Sequence, residues 1–351
     1  MTLSPTMLDA MRLMKCGDLA SATAALQAGL SPHRSPNPDS TPTTDGNVID
    51  LTPTRVTLRP SSDTGGSKAV PRQGVFSSER HGSTEYRLYT PAGAAEGLPL
   101  VVMLHGCTQT PEDFATGTGM NALADELGFI VAYPRQPQSA NPQKCWNWFR
   151  PGDQQRGRGE PAQIAGIVQD VVRDHRADPA RVYVAGLSAG GAAAAIMAAR
   201  YPDVFAAVGI HSGLACGSAS DVPSALSVMR RGGGTRVVAN DGMPVPVITF
   251  HGDRDPTVHP VNSKEIAAIA AAGAGNAHTV RTERGSTQRG RTYQRVTSTD
   301  GAGRIVIEQW TVHGAGHAWS GGDARGSYTD PSGPEASRAM LDFFLRHRLC
   351  R

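Results

Sequence analysis

One serine lies at the centre of a short stretch of small residues, Gly186-Leu187-Ser188-Ala189-Gly190. The mostly apolar residues 182–185 precede it and predict a buried strand, and the alanine-rich run from Ala189 predicts a helix. A Gly-x-Ser-x-Gly sequence between a strand and a helix indicates a nucleophile elbow, a strained turn that exposes the serine hydroxyl. We therefore expect Ser188 to be a nucleophile. The competing interpretation is an inert serine in a glycine-rich loop.

A serine nucleophile needs a base, and the base needs a carboxylate to orient it. Two aspartates, Asp253 and Asp255, follow the apolar run 245–250, which predicts another buried strand. Ligands of an open parallel sheet gather at the carboxyl ends of its strands, so both aspartates qualify by position. We favour Asp255, because it lies beyond the turn at Gly252, whereas Asp253 is expected to bond local backbone.

Two histidines compete for the role of general base, His313 and His317, which are separated by Gly314-Ala315-Gly316. His317 lies on the loop beyond a predicted strand, where it can reach the serine oxygen, and His313 is expected to pack at the strand end. Three further histidines are outsiders for this role: His105, His251 and His259. His105 and His251 each precede a glycine at a strand end and are expected to bond loop backbone.

These residue types predict nucleophilic catalysis through an acyl-serine. His317 would take the proton of Ser188, and Asp255 would hold the imidazole in the correct tautomer. The oxyanion needs two backbone N–H donors, and we expect them from Ala189 and Cys107. Water would then release the acid. No cofactor and no metal is expected for this chemistry.

Alternating strands and helices must position these groups. Predicted strands span 74–78, 84–90, 98–104, 129–133, 182–185, 205–211, 245–250, 279–284, 292–297 and 304–312. Predicted helices span 112–127, 160–175, a run from 189, 262–272 and 333–348. This alternation predicts an α/β fold, a mostly parallel sheet with helices on both faces.

The chain before residue 74 has a different composition. Residues 1–30 carry helical apolar spacing and predict a short helical segment, and residues 31–73 are rich in Pro, Ser and Thr and predict a flexible linker. The catalytic domain is then 74–351. A function of another class is binding to a partner or a polymer granule through the N-terminal segment.

Composition narrows the partners. The net charge of +3 is too small to indicate nucleic acid, and no apolar stretch predicts a transmembrane segment. The N-terminus lacks the pattern of a signal peptide, which predicts a cytoplasmic protein. Oligomeric state is left open by the sequence. The five cysteines show no zinc spacing: Cys16, Cys107, Cys145, Cys216 and Cys350.

Five motifs follow one another along the chain: His105-Gly106-Cys107-Thr108-Gln109, Cys145-Trp146-Asn147-Trp148, Gly186-Leu187-Ser188-Ala189-Gly190-Gly191, His251-Gly252-x-x-Asp255 and Gly316-His317-Ala318-Trp319-Ser320-Gly321-Gly322. Together they resemble the poly(3-hydroxybutyrate) depolymerase family of esterases. The resemblance runs from about Val75 onward. It implies an α/β-hydrolase fold and ester hydrolysis, with Ser188, Asp255 and His317 as the triad.

The resemblance leaves the substrate open, because feruloyl and acetylxylan esterases belong to the same superfamily. Polyhydroxybutyrate or short hydroxyacyl ester oligomers are our first expectation, and acylated plant polysaccharide is the alternative. Secreted members of the family make an extracellular location the alternative to the cytoplasm. No separate polymer-binding domain is evident after the catalytic region, which leaves soluble oligomers or an intracellular store open.

Two further features follow from the resemblance. The family implies a disulfide between Cys107 and Cys145, although a cytoplasmic location would argue against it. Trp146, Trp148 and Trp319 could line the acyl pocket, and the alternative for each is core packing.

Overall fold

The structure is a computed structural model that describes residues 73–234, 244–273 and 279–350. The predicted N-terminal helical segment (1–30) and all but the last residue of the predicted linker (31–73) lie outside the described residues. Those two predictions and the boundary between them therefore stay predictions.

A ten-stranded sheet forms the centre of the described part of the chain. The strands are β1 (Val75–His81), β2 (Thr84–Thr90), β3 (Leu100–Leu104), β4 (Ile130–Pro134), β5 (Val182–Leu187), β6 (Ala207–His211), β7 (Val247–Gly252), β8 (Thr279–Ser286), β9 (Thr292–Thr299) and β10 (Ile305–Val312), with a separate pair β11 (Trp319–Ser320) and β12 (Thr329–Asp330). The helices are α1 (Pro111–Thr118), α2 (Met120–Leu127), α3 (Gly159–Asp174), α4 (Ala189–Arg200), α5 (Val222–Arg231), α6 (Val261–Gly273) and α7 (Ala336–Phe344), and a short 3-10 helix spans Pro151–Gln154.

The strand order is β1-β2-β4-β3-β5-β6-β7-β10-β9-β8. The strands from β4 to β10 in this order are parallel to their neighbours, and antiparallel strands extend the sheet at both edges. The predicted mostly parallel sheet is thus confirmed. It follows from the continuous apolar strands, because a strand buried on both faces needs helices above and below it.

Alternate residues of each central strand enter two different apolar layers. Leu100, Val102 and Leu104 of β3 join one layer, whereas Val101 and Met103 join the other. Helix α4 belongs to the first layer and α7 to the second. The two layers fix the sheet between the helices. Because β3, β5, β7 and β10 run parallel, their carboxyl ends all lie on the same side of the molecule, at the ends of the strands.

Some helices differ from the prediction. The single helix expected over 112–127 is divided into α1 and α2, because Gly119 takes a left-handed conformation with φ of 63°. Helix α5 was not predicted, although Asp221 and Ser224 form a capping box at its start. Among the described residues, no helix has the length and apolar character needed to cross a membrane.

Candidate active site

Ser188 lies on the turn between β5 and α4, with φ of 58° and ψ of −119°. Its backbone N–H donates to His211 O at 2.9 Å, which fixes the turn against the end of β6. The flanking glycines are required by close packing. A Cβ on Gly186 would lie 2.3 Å from the backbone of Gly190, and a Cβ on Gly190 would lie 2.0 Å from Leu104 O. The strained serine and its two glycines are therefore one local unit.

Asp255 and His317 lie on the loops that follow β7 and β10, and a hydrogen bond joins them. His317 Nδ1 is 2.7 Å from Asp255 Oδ2. The other oxygen of Asp255 accepts from the backbone N–H groups of Thr257 and Val258, both at 2.9 Å. The bond to Asp255 orients the imidazole of His317, and its Nε2 has no hydrogen-bond partner in the described part of the chain. That nitrogen is free to accept a proton.

A second histidine also approaches this carboxylate. His251 Nε2 is 2.8 Å from Val258 O and 3.3 Å from Asp255 Oδ2. A carbonyl oxygen only accepts, so Nε2 of His251 carries a proton, and the buried Nδ1 has no hydrogen-bond partner among the described residues. Burial alone would raise the pKa of Asp255, but the hydrogen bonds from His251 and His317 outweigh it and hold the pKa well below its usual range. Asp255 is therefore ionised, and hydrogen bonds hold both of its carboxylate oxygens in place. Sequence reasoning expected His251 to bond loop backbone and missed this contact, although a spacing of four residues from Asp255 could have suggested it.

His211 is a further residue that sequence reasoning missed. Its ring is fully buried and stacks on Trp319, with ring centres 5.1 Å apart, and its Nε2 accepts from the backbone N–H of Ser320 at 3.0 Å. Burial, helped by His251 and His317, lowers the pKa of His211 to about 3, so the ring is neutral. His211 thus connects the turn of Ser188 to the segment that follows His317.

The rejected pair, Asp253 and His313, also forms a hydrogen bond. His313 Nδ1 is 2.9 Å from Asp253 Oδ2, and Gly314 N donates to Asp253 Oδ1 at 2.7 Å. The side chains are 43% exposed for His313 and 36% for Asp253, against 12% for His317 and 0% for Asp255. Asp253 thus bonds a backbone N–H group, but the group belongs to Gly314 on the loop after β10 and not to the local turn that the sequence predicted. Exposure distinguishes this pair from the one at Asp255.

The two predicted oxyanion donors lie at adjacent strand ends, since β3 and β5 pair in parallel with Leu104 opposite Gly186. In the described part of the chain, the backbone N–H groups of Cys107 and Ala189 have no hydrogen-bond acceptor. Ala189 is also the first residue of α4, where the helix dipole favours negative charge. Both amides are therefore available to a developing oxyanion.

The loop after β4 packs on the loop that carries Cys107. A disulfide joins Cys107 to Cys145, as the family resemblance implied. Thr108 N donates to Gln143 O at 2.6 Å, and Trp146 Nε1 donates to His105 O at 3.1 Å. These contacts hold the backbone at Cys107 in place.

A buried carboxyl group supports this loop from below. Glu160, at the start of α3, accepts from Gln136 Nε2, from Asn147 N at 2.8 Å and from Asn147 Nδ2 at 2.6 Å. Burial, followed by the charge of Asp153, raises the pKa of Glu160 to about 7, against the lowering effect of these three donors. Gln136 N in turn donates to His105 Nε2 at 3.2 Å. Burial lowers the pKa of His105 to about 4, and its Nδ1 bonds Gly106 O as expected for a loop-bonding histidine.

The three predicted substrate-binding tryptophans are all buried. Trp146 is 2% exposed, Trp148 6% and Trp319 1%, and Trp319 Nε1 already donates to Ser337 Oγ at 3.0 Å. This burial gives no support to the prediction that they line an acyl pocket. It favours the alternative of core packing, because large rings in these positions fill the space behind the loops. Within residues 73–234, 244–273 and 279–350, no three His, Cys, Asp or Glu side chains are grouped as a metal site.

Comparison with known proteins gives a family match. Residues 84–287 match the family model described as esterase PHB depolymerase, a range that includes Ser188 and Asp255 and ends before His317. Poly(3-hydroxyalkanoate) depolymerase C of Paucimonas lemoignei is 39% identical over 199 residues, which are 52% of this chain and 47% of that protein.

Other relatives have different named substrates. Probable acetylxylan esterase A of Neosartorya fischeri is 31% identical over 207 residues, 54% of this chain and 55% of that protein. Feruloyl esterase B of Neurospora crassa is 37% identical over 147 residues, 40% of this chain and 49% of that protein. This chain thus spans about half the length of these curated relatives. Among solved structures, acetyl xylan esterase from Aspergillus awamori has a TM-score of 0.58 at 22% identity and covers 75% of this chain and 94% of that chain, which shows a shared α/β-hydrolase fold.

Proposed function

Because the chain belongs to the esterase PHB depolymerase family, we propose that it is a serine carboxylic-ester hydrolase. The substrates proposed are polyhydroxybutyrate-type polyester or short hydroxyacyl ester oligomers. The similarity to poly(3-hydroxyalkanoate) depolymerase C supports this substrate class.

The observation that carries the proposal is the hydrogen bond from His317 Nδ1 to Asp255 Oδ2, which is 2.7 Å long. It lies at the carboxyl ends of the parallel strands, where the turn of Ser188 also lies. The bond leaves Nε2 as the basic nitrogen. In the proposed mechanism, Nε2 removes the proton of Ser188 Oγ as that oxygen attacks the ester carbonyl carbon. The imidazolium that forms is stabilised by the ionised Asp255.

The tetrahedral intermediate carries its negative charge on the former carbonyl oxygen. The N–H groups of Cys107 and Ala189 would donate to that oxygen, and removal of one such donor typically costs about 3 kcal/mol in the barrier. His317 then gives its proton to the leaving alcohol oxygen as the carbon–oxygen bond breaks, which leaves an acyl-serine. A water molecule, deprotonated by His317, releases the acid by the same steps in reverse.

A second candidate is an esterase that acts on acylated plant polysaccharide. The similarity to acetylxylan and feruloyl esterases favours it, as does the nearly full coverage of the acetyl xylan esterase structure. The same catalytic residues would serve either substrate, so the choice depends on the groups around them. A role in granule or partner binding would rest on residues 1–30, outside the described residues.

The location proposed is an oxidising compartment outside the cytoplasm. Disulfides persist in secreted proteins and are rare in the cytosol, and the Cys107–Cys145 bond lies at the candidate active site. The proposal therefore takes the alternative location in place of the cytoplasm that the sequence predicted.

The test is a substrate panel with the wild-type protein and a Ser188→Ala blank. The panel contains a 3-hydroxybutyrate trimer methyl ester, methyl ferulate and acetylated xylan. We expect the highest kcat/KM on the trimer. A higher value on methyl ferulate or acetylated xylan would select the second candidate, and equal hydrolysis by the blank would refute the serine mechanism.

A further inference from the structure

Two residues beside the candidate oxyanion hole have backbone conformations that their side chains disfavour. Thr108 has φ of 67° and Tyr328 has φ of 53°. Positive φ is unusual for β-branched and bulky aromatic residues, and such outliers cluster at binding and catalytic sites. Thr108 directly follows Cys107, one of the proposed oxyanion donors.

The side chains of these two residues meet. The phenol oxygen of Tyr328 is 3.2 Å from Thr108 Oγ1, and Thr108 Oγ1 donates to Cys107 O at 2.6 Å. A threonine hydroxyl has one proton, and Cys107 O takes it, so Tyr328 is the donor in the contact between the two hydroxyls. The phenol is thereby directed at the loop that carries Cys107.

The loop around Tyr328 is fixed on both sides. Gln109 Nε2 donates to Ser327 O at 3.0 Å, while Gln109 Oε1 accepts from Gly106 N at 2.9 Å. Tyr328 O accepts a hydrogen bond at 2.7 Å from the backbone N–H of Trp319, the second residue after His317. The ring of Tyr328 therefore lies between the loop that carries Cys107 and the segment that follows His317.

This ring is open to solvent. Tyr328 is 45% exposed, whereas Trp146, Trp148 and Trp319 are buried. Four other large apolar side chains of the described residues are also exposed: Val75, Leu127, Val280 and Leu345. They belong to β1, α2, β8 and the end of α7, and not to the loops that carry the candidate site residues. An exposed aromatic ring with a hydroxyl at its tip can cover alkyl groups and donate to an oxygen at the same time.

We infer that Tyr328, with Thr108 behind its hydroxyl, forms a subsite for the hydroxyacyl unit next to the scissile ester of an aliphatic polyester. The inference rests on the proposed esterase function. The ring would cover the methyl and methylene groups of that unit, and the phenol would turn from Thr108 to donate to its ester carbonyl. A simple acetyl ester has no such second carbonyl, and a feruloyl ester offers a ring in its place.

The test compares two substrates in each variant. The quantity measured is kcat/KM for the 3-hydroxybutyrate trimer methyl ester divided by kcat/KM for p-nitrophenyl acetate. Tyr328→Phe is expected to lower this ratio about three- to tenfold, because it removes one hydrogen bond. Tyr328→Ala is expected to lower it by more than about tenfold, because the apolar cover is lost as well. Leu127→Ala, which shortens an exposed side chain at the end of α2, is the control and should leave the ratio unchanged.

Two outcomes would overturn the subsite: an unchanged ratio in both Tyr328 variants, or a wild-type protein that does not hydrolyse the trimer. Tyr328→Phe retains the ring, and its melting temperature checks that it folds. Failure of the proposed function would look different, because Ser188→Ala would then still hydrolyse p-nitrophenyl acetate. A wild-type protein that hydrolyses both substrates with an unchanged ratio in the variants refutes the subsite alone.

Discussion

Asp253 and Asp255 are two residues apart, and each bonds a histidine, yet their surroundings differ. Asp255 is enclosed, accepts from two backbone N–H groups and has two histidines within reach. Asp253 and its partner His313 are much more exposed than Asp255 and His317. A carboxylate that must stabilise an imidazolium is more effective where solvent does not screen it.

This contrast gives a matched pair of variants. Asp255→Asn should lower kcat for p-nitrophenyl butyrate about 10³- to 10⁴-fold, because the imidazole would lose its correct tautomer. Asp253→Asn makes the same chemical change two residues away and should leave kcat within a few-fold of wild type. Steady-state kinetics on both variants is the measurement. A larger loss in Asp253→Asn would assign the triad to the exposed pair.

Glu160 shows how one buried group can support a site that it does not touch. It accepts three hydrogen bonds from Gln136 and Asn147, and this network reaches His105 at the start of the oxyanion loop. In Glu160→Gln, one carboxylate oxygen becomes an NH₂ group, which would face an N–H donor of Gln136 or Asn147 and could not accept from it. The cost of one unpaired buried group is about 1–3 kcal/mol.

The pH dependence of stability gives a second prediction. In the folded protein, burial raises the pKa of Glu160 to about 7 from an ordinary value of 4.5. Between these values the folded state holds the proton more tightly, so the contribution of Glu160 to the free energy of unfolding is full below pH 4.5 and is lost as pH rises through 7. Glu160→Gln removes this slope.

Urea unfolding across this pH range measures the effect. The stability difference between wild type and Glu160→Gln should shrink as pH rises from about 4.5 to 7. Glu96→Gln changes an exposed glutamate and should remain within about 0.5 kcal/mol of wild type. A Glu160 difference that stays constant or grows with pH would contradict the assigned direction.

The strand-to-helix turn between β5 and α4 depends on backbone contact. The first turn of α4 packs against the end of β3, where the carbonyl of Leu104 leaves no space for a side chain on Gly190. Alanine is normally the better helix former by about 1 kcal/mol, so intrinsic propensity would favour the substitution. Packing opposes it, because backbone atoms cannot move aside as a flexible side chain can.

Gly190→Ala is therefore expected to destabilise the protein by several kcal/mol, despite the better propensity of alanine. Activity should fall with it, because the shift would move Ser188 and the N–H of Ala189. Gly152→Ala is the matched control, since a Cβ there meets nothing within 4 Å. Thermal melting of the two variants decides the point, and equal melting temperatures would show that the turn has more space than the structure indicates.

At the scale of the whole molecule, the disulfide joins two loops that are distant in sequence. Cys107 lies on the loop that follows β3, and Cys145 lies on the loop that follows β4, at a sequence separation of 38. Closing a loop of that length stabilises the folded state by about 4 kcal/mol in the chain-entropy model. The bond also holds the backbone N–H of Cys107, so stability and activity should depend on it together.

The double variant Cys107→Ser/Cys145→Ser tests this dependence. Its melting temperature should be lower than that of the wild-type protein, and its kcat for p-nitrophenyl butyrate should fall. Cys350→Ser, at an exposed free cysteine, is the control and should change neither quantity. Wild-type stability and activity in the double variant would mean that the loop is held by its hydrogen bonds alone.

Sequence reasoning predicted the secondary structure where a signal is local. The strand, turn and helix around Ser188 and the strand ends before Asp255 and His317 are contiguous patterns, and the parallel sheet follows from apolar runs alone. It was less successful where a partner comes from far along the chain. The stacking of His211 on Trp319 and the contact between Thr108 and Tyr328 depend on loops that only the folded sheet brings together.

The tryptophans illustrate the same limit from another direction. A tryptophan in a motif is equally typical of a binding pocket and of a core, because a large apolar ring serves both. Trp146 donates its indole N–H to His105 O, a contact that no pattern within 145–148 reveals. Tyr328, the exposed aromatic residue of the proposed subsite, lies outside every motif that carried the family resemblance.

The central claim is that Ser188 forms the covalent bond to the acyl group, and active-site labelling tests it most directly. Diethyl p-nitrophenyl phosphate phosphorylates nucleophilic serines, and cleavage after Arg181 and Arg200 yields a peptide whose one serine is Ser188. Mass spectrometry of the inactivated wild-type protein should find one diethylphosphoryl group on that serine, in proportion to the activity lost. Complete inactivation with this peptide unmodified and the label on another residue would contradict the account.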